Sequence, residues 1–238
     1  MKRTEPPKPE TTKDGDTSRK GASRKRSDRG AETRAQLIEA ALDIFGRLGY
    51  EGATTRQIAK AANANLAAIV YHFGSKEALH LAVAEHVVKS ILARIGPTLA
   101  VVATPEAAAT PQSARDALHR LIGTVADVLL GSAEAERWAR FIVREQLQPT
   151  AAFDVIYGYM DHAISTALRL VSVVLDVPED DDLRLRAITV LGQVLVFRVA
   201  QTLVLRRMNW TVIGEPERKA IKKVILQNLD AILEGTKS

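Results

Sequence analysis

The sequence predicts an all-α protein: an N-terminal helix-turn-helix domain of three helices joined to a larger C-terminal helical bundle. Three observations predict it. Apolar residues recur at spacings of three and four through the apolar stretches, the period of a helix face. No alternating apolar-polar run reads as a strand, and no internal repeat is evident. Helix start and stop residues flank each periodic segment. With 238 residues, 46% hydrophobic and 26% charged, the chain has ample material for a core.

Residues 1–30 read as a disordered basic tail. They hold ten Lys/Arg against five acids, which is the whole of the +5 formal charge, and residues 31–238 carry 23 of each sign. With Pro6, Pro7, Pro9 and no aromatic residue, this stretch cannot bury enough apolar surface to fold. It is either a solubilising leader or an arm for a polyanion, since "SRKRSDR" immediately precedes the first periodic segment. No apolar stretch in it resembles a secretory signal.

A first helix is expected over 31–48, where Leu37, Ile38, Ala41, Leu42, Phe45 and Leu48 share a face and Gly49 supplies the left-handed stop. Thr54 starts a second helix, with Gln57 completing a capping box and Ile58, Ala59 and Ala62 facing inward. Asn63 makes the following turn, because asparagine tolerates positive φ, and Asn65 caps a third helix ending at Phe73. In that helix Ile69 and Phe73 point inward. Gly74 ends it, and Ser75 caps a fourth helix, 76–95.

Two short helices joined by a tight turn, the second with a free face, form a helix-turn-helix suited to a major groove. The third helix needs only about two turns to enter the groove, and Tyr71 and His72 at its end meet phosphate walls. Spacing alone fits equally well an ordinary helical hairpin within a larger bundle.

Beyond it, a Pro/Ala-rich linker is expected at 96–112, then helices near 113–131, 134–147, 153–176, 182–207 and 215–234. The helix at 182–207 is apolar on nearly all sides and must be covered on all of them. A second copy of the chain is the simplest cover for the face its own bundle leaves open, with Val194 and Phe197 expected at that seam. Residues 187–205 are about long enough to span a bilayer, but Arg198 in their midst favours a buried helix and no membrane association.

The segment "TTRQIAKAANANLAAIVYHFGSKEAL" resembles the N-terminal DNA-binding domain of TetR-family transcriptional regulators over roughly residues 31–80. The rest, through "FIVREQLQPTAAF" and "VFRVAQTLVLRRMNW", resembles the CecR-type (YbiH-type) branch. The resemblance implies a homodimer presenting two reading heads to a palindromic double-stranded DNA operator, with residues 81–238 serving effector binding and dimerisation. It also implies that Thr55, Arg56 and Lys76 meet the DNA backbone and that Tyr71 and His72 make groove and phosphate contacts. The chain departs from the family pattern at Asn63, where glycine is usual, and at Val70, where tyrosine is common.

The reading face is sparing in hydrogen-bonding groups. Between Leu66 and Val70 there is no Arg, Lys, Asn or Gln, and Asn65 is the single amide nearby. Leu66, Ala67 and Ala68 offer apolar contact, for which a thymine methyl is the natural partner. Specificity is therefore expected from thymine contacts, operator shape and two-fold spacing.

A small-molecule effector is implied for the C-terminal domain. Polar or bulky residues on apolar faces are its candidate contacts: Trp138, Phe141, Glu145, Tyr157, His162 and Gln193. Each of them equally fits a structural contact in the core or seam.

Catalysis is not expected. There is no cysteine, no glycine-rich phosphate loop after a strand, and no histidine pair four apart with a glutamate between. No metal and no cofactor is expected, and the cytoplasm is the expected location. The sequence thus reads as a ligand-released repressor, the alternative being an architectural or nucleoid-associated DNA binder without a small-molecule ligand.

Overall fold

The computed structural model describes the backbone of residues 16–234 and the side chains of residues 29–234, and among these every regular element is helical. Helix α1 (Asp16–Gly52) buries Leu37, Ile38, Ala41, Leu42 and Phe45 on one face, as their spacing requires. Helical geometry breaks at Gly49, whose φ of 74° a side chain would strain.

The helix starts at Asp16 rather than near Ala31, so the expected disordered tail is corrected for residues 16–30. Once the packed half of α1 has formed, extending it backward costs no new nucleus, and Ala, Arg and Lys are good helix formers. Residues 1–15 of the expected tail lie outside the described residues.

Helices α2 (Thr55–Ala61) and α3 (Leu66–Phe73) follow, joined by a turn in which Asn63 takes φ 49°. Helix α4 (Lys76–Val102) then runs from the reading head into the body. It does not end at Ile95, and the expected linker shrinks to a short segment with one 3-10 turn at Glu106–Ala108. Pro97 lies inside α4, where it leaves one carbonyl without its helical partner. Burial of Ile95, Leu99 and Val102 and a hydroxyl contact of 3.2 Å between Thr98 and Thr124 outweigh that loss.

The body comprises α5 (Pro111–Leu130), α6 (Ala133–Leu147), α7 (Ala151–Leu175), α8 (Asp181–Val199), α9 (Gln201–Met208) and α10 (Glu215–Glu234). The expected helix at 182–207 is two helices, bent by 73° at Ala200. Among the described residues no single helix is long and apolar enough to cross a membrane, although this bent pair reaches that length and composition together.

Two apolar cores result. One lies among α4, α5, α7, α8 and α10. The other begins in the head with Phe45, Ile58, Ile69 and Leu79 and continues without a break into Trp138 and Phe141 of α6 and Ile156 of α7. The head therefore shares its core with the body, and α6 is the element it shares most.

Val194 is fully buried in the protomer's own core and Phe197 packs against it, so neither is free for a seam. Instead α8 exposes Leu185, Ile188, Val196 and Val199, and α9 exposes Leu203. Leu185 with Ile188 and Val196 with Val199 are each three apart, and the two pairs are about two turns apart on the same side of α8 with exposed Gly192 between them, so they form one apolar stripe.

Candidate functional site

The reading head is assembled from local hydrogen bonds at helix ends. Thr54 Oγ1 accepts from Gln57 N at 3.2 Å, and Thr54 N donates back to Gln57 Oε1 at 2.9 Å, closing the capping box. Ala64 N donates to Ala59 O at 2.9 Å across the turn. Asn65 Oδ1 accepts from Ala67 N at 2.9 Å, and Ser75 Oγ accepts from Ala78 N at 3.0 Å. Gly74, at φ 81°, lets the chain leave α3 and enter α4 at once.

These caps leave α3 anchored by Ile69, which is 1% exposed. Its outer face carries Asn65, Leu66, Ala67, Val70 and Tyr71, the last 84% exposed. Ala68 is half-buried at the edge of the head core. Arg56 is exposed and Thr55 half-buried at the start of α2. Of the sequence-predicted contacts, Arg56, Asn65, Leu66, Ala67 and Tyr71 are thus exposed, whereas His72 is partly covered. Its ring is half-buried, near α1 at Gly30 and 4.9 Å from the Tyr71 ring, where it braces Tyr71.

Lys76, in the first turn of α4, holds its Nζ 4.3 Å from the centre of the Tyr50 ring. This cation-π contact orients the ammonium beside the helix N-terminus, a position that favours an anion. Burial, with help from Glu77 and Glu51, raises the Tyr50 hydroxyl above its ordinary pKa, so the ring remains a neutral platform for the cation.

Behind Lys76 lies a buried polar cluster. His80, one turn on in α4, is 2% exposed, and Glu145 of α6 is 1% exposed. His80 Nε2 stands 3.2 Å from Glu145 Oε1, within ion-pair range but not aligned as a hydrogen bond. Thr150 donates to Glu145 Oε2 from both Oγ1, at 2.8 Å, and N, at 3.2 Å. The rings of Phe45, Tyr50 and Phe141 enclose the imidazole. Burial alone would raise the Glu145 pKa, but the contacts from His80 and Thr150 outweigh it and hold the carboxyl below its ordinary value.

The body contains an apolar cavity of about 140 Å³. Helix α4 contributes Val88, Ile91, Leu92 and Ile95 to its wall, α6 contributes Ile142 and Gln146, and α7 and α8 contribute Tyr159, Met160 and Leu195. Gln146 and Tyr159 supply the polar side-chain atoms of this lining. None of the six sequence-predicted effector residues lines it. Trp138, Phe141 and Glu145 are buried where α6 meets the head, because that stripe of α6 faces α1 and α4. Tyr157 is exposed and stacked on Phe153, and His162 is exposed. Gln193 accepts from Asn228 Nδ2 at 2.9 Å, tying α8 to α10. Arginines of α6 also reach α1: Arg137 pairs with Glu39 at 2.6 Å and Arg144 donates to Arg47 O at 2.8 Å.

Comparison with known proteins adds the following. Residues 37–83 match the family model described as bacterial regulatory proteins, tetR family. Residues 114–236 match that of the C-terminal domain of the HTH-type transcriptional dual regulator CecR. The chain is 34% identical over 212 residues to the CecR dual regulator of Shigella flexneri, covering 87% of this chain and 94% of that protein. Among solved structures, AibR in complex with isovaleryl coenzyme A and operator DNA superimposes with a TM-score of 0.61 at 15% identity, over 83% of this chain and 97% of that one. The Bacillus subtilis regulator FadR in complex with stearoyl-CoA superimposes with a TM-score of 0.57 at 16% identity, over 84% of this chain and 98% of that one. At such identities the two structures speak for the fold alone.

Proposed function

The chain belongs to the TetR family of bacterial regulatory proteins, with a CecR-type C-terminal domain, and we propose that it acts as a homodimeric repressor released from a palindromic operator by a small lipophilic effector. One observation carries this reading. A single helix, α4, presents Lys76 at its head end and lines an apolar cavity with Val88, Ile91, Leu92 and Ile95 at the other. An occupant that displaces the lining of α4 displaces the first turn that orients the lysine.

In this reading Thr55, Arg56 and Lys76 meet the DNA backbone, and Asn65, Leu66, Ala67 and Tyr71 enter the groove. Ala68 contributes from the edge and His72 acts mainly by bracing Tyr71. The exposed stripe of Leu185, Ile188, Val196 and Val199 supports a two-fold seam that sets the spacing of the two heads. The protein works on DNA in the cytoplasm and performs no catalysis.

The cavity describes its ligand. An apolar space of roughly 150 Å³ accepts a molecule of benzene size, and no charged side chain lines this one. The AibR and FadR complexes hold acyl-CoA thioesters. Here we assign the effector to compact, flat, neutral compounds, which make no demand for a phosphate-binding group. The hollow also supports a ligand-responsive regulator over an architectural DNA binder, whose body has no use for a cavity.

The test is selection of duplexes from a random pool by the purified protein, then displacement of the selected duplex by neutral lipophilic compounds. Enrichment of one palindrome and its release by a compound that binds the body is the expected result. Retention of all sequences alike, with no compound affecting it, contradicts the proposal.

A further inference from the structure

We propose that the buried His80–Glu145 pair is the positioning device that transmits cavity occupancy to the reading head; this inference rests on the repressor reading above. Three observations converge on the pair. It sits where the first turns of α4 cross the last turn of α6, and both partners are almost wholly withdrawn from solvent. His80 is four residues, one helical turn, from Lys76, and its ring touches Tyr50, the platform on which Lys76 rests. Glu145 precedes Gln146, whose side chain lines the cavity, and lies three residues after Ile142, which lines it too.

One short segment of α6 therefore faces the cavity with Ile142 and Gln146 and grips α4 with Glu145. An occupant that pushes the wall outward moves this segment as a unit, because a helix is stiff over a single turn.

Whether α4 follows depends on what joins the two helices there. Apolar side chains slide past each other at little cost. A buried carboxylate cannot leave its partner without being stranded in an apolar surrounding, which is strongly unfavourable. The aromatic cage of Phe45, Tyr50 and Phe141 offers no substitute partner. Thr150, at the start of α7, holds the second carboxylate oxygen and keeps Glu145 pointed at His80. The pair thus drags the head end of α4 along with α6, and Lys76 and Tyr50 move with it.

The remaining links between α6 and the head do not substitute for it. Arg137–Glu39 and the Arg144 contact to Arg47 O tie α6 to α1, and Glu39 also meets His86 of α4. Arg94 of α4 pairs with Glu134 of α6 and lies over Trp138. The charged groups of these links are partly exposed, where water replaces a broken contact, and those on α4 lie well beyond its first turns.

A permanent occupant makes the test independent of any unidentified ligand. Ala163 lines the cavity, and Ala163→Phe fills it. Two backgrounds are compared: the native pair, and His80→Leu with Glu145→Met, which keeps the volume apolar and removes the polar contact. Affinity is measured for the duplex that the wild-type protein selects from a random pool, and amide exchange is followed over residues 76–84 in the absence of DNA.

With the pair intact, Ala163→Phe is expected to lower duplex affinity about tenfold, within the usual range of allosteric couplings, and to speed exchange over 76–84. In the Leu/Met background the same substitution is expected to change affinity less than about twofold and to leave exchange there unaltered. A pair that served only stability would shift both backgrounds by the same factor. Equal losses in the two backgrounds, with equal changes in exchange, overturn the positioning role while leaving the repressor reading intact. No loss in either background removes cavity control itself, and the positioning role with it. Exchange over α10, which does not line the cavity, matching wild type in every variant certifies that the comparison is between folded proteins.

Discussion

The head and the body of this protein are built to opposite tolerances. Helices in both regions start with side-chain caps, but the interior of the head is filled, by Phe45, Ile58, Ile69 and Leu79. In the body, helices of 15 to 25 residues enclose a hollow of about 140 Å³ whose wall is almost entirely apolar and makes few directed contacts. A filled unit moves as one piece, whereas a hollow one has room to rearrange. The difference suits the proposed roles, a body in which a ligand does work and a head that is moved.

The largest effect expected from breaking this arrangement lies at the seam, because a single head has no partner with which to span a palindrome. Glutamates at Ile188 and Val196 should give monomers in sedimentation and lower duplex affinity by a factor on the order of 10² to 10⁴, the usual gain from linking two binding units. The helical signal in circular dichroism should persist. A dimer that survives both changes places the seam off the α8 stripe.

Packing changes sharpen the contrast between the two regions. Ala59 of α2 is buried within the head core, so Ala59→Leu should cost about 1–3 kcal/mol in denaturant unfolding. Ala163→Leu points into the hollow and should be neutral or slightly stabilising. Equal destabilisation at both positions contradicts the idea of a filled head on a hollow body.

The junction between the regions should show itself in pH. The Glu145 carboxyl has its pKa lowered in the folded state, so its stabilising contribution is present above the unfolded carboxylate value, 4.5, and is lost as pH falls through the lower folded value. Unfolding of wild type and Glu145→Gln should therefore differ most near neutrality. The gap should narrow only below about pH 4.5, in the acid range where the folded carboxyl takes up its proton. A gap that is constant across that range means the carboxylate charge plays no part.

A smaller effect is expected at Lys76. Lys76→Ala removes one phosphate neutralisation per subunit, so the slope of log affinity against log salt should fall by about one unit per subunit for every sequence alike. An unchanged slope places the lysine away from the backbone.

The head was legible because its determinants are local. Thr54 with Gln57, Asn63, Asn65, Gly74 and Ser75 each act within about four residues, so the chain order itself displays them. What was misread depends on distant partners. Pro97 reads as a helix terminator until Leu99 and Val102 are seen to be buried against α5. On α6, Phe141 and Ile142 are adjacent, as are Glu145 and Gln146, and both stripes are plausible inner faces. Only the position of α1 decides that the first faces the head and the second the cavity. The same holds for Val194, which is as apolar as Val196 but lies on the covered side of α8. The His80–Glu145 pair is invisible in the chain order because its partners stand 65 positions apart.

The central claim is that cavity and operator compete through α4, and reciprocity tests it most directly. Duplex affinity is measured with and without a saturating compound that binds the body, and compound affinity is measured with and without saturating duplex. The account predicts that both fall by the same factor, roughly 5- to 150-fold. Compound binding that leaves duplex affinity unchanged, and is itself unchanged by duplex, contradicts it.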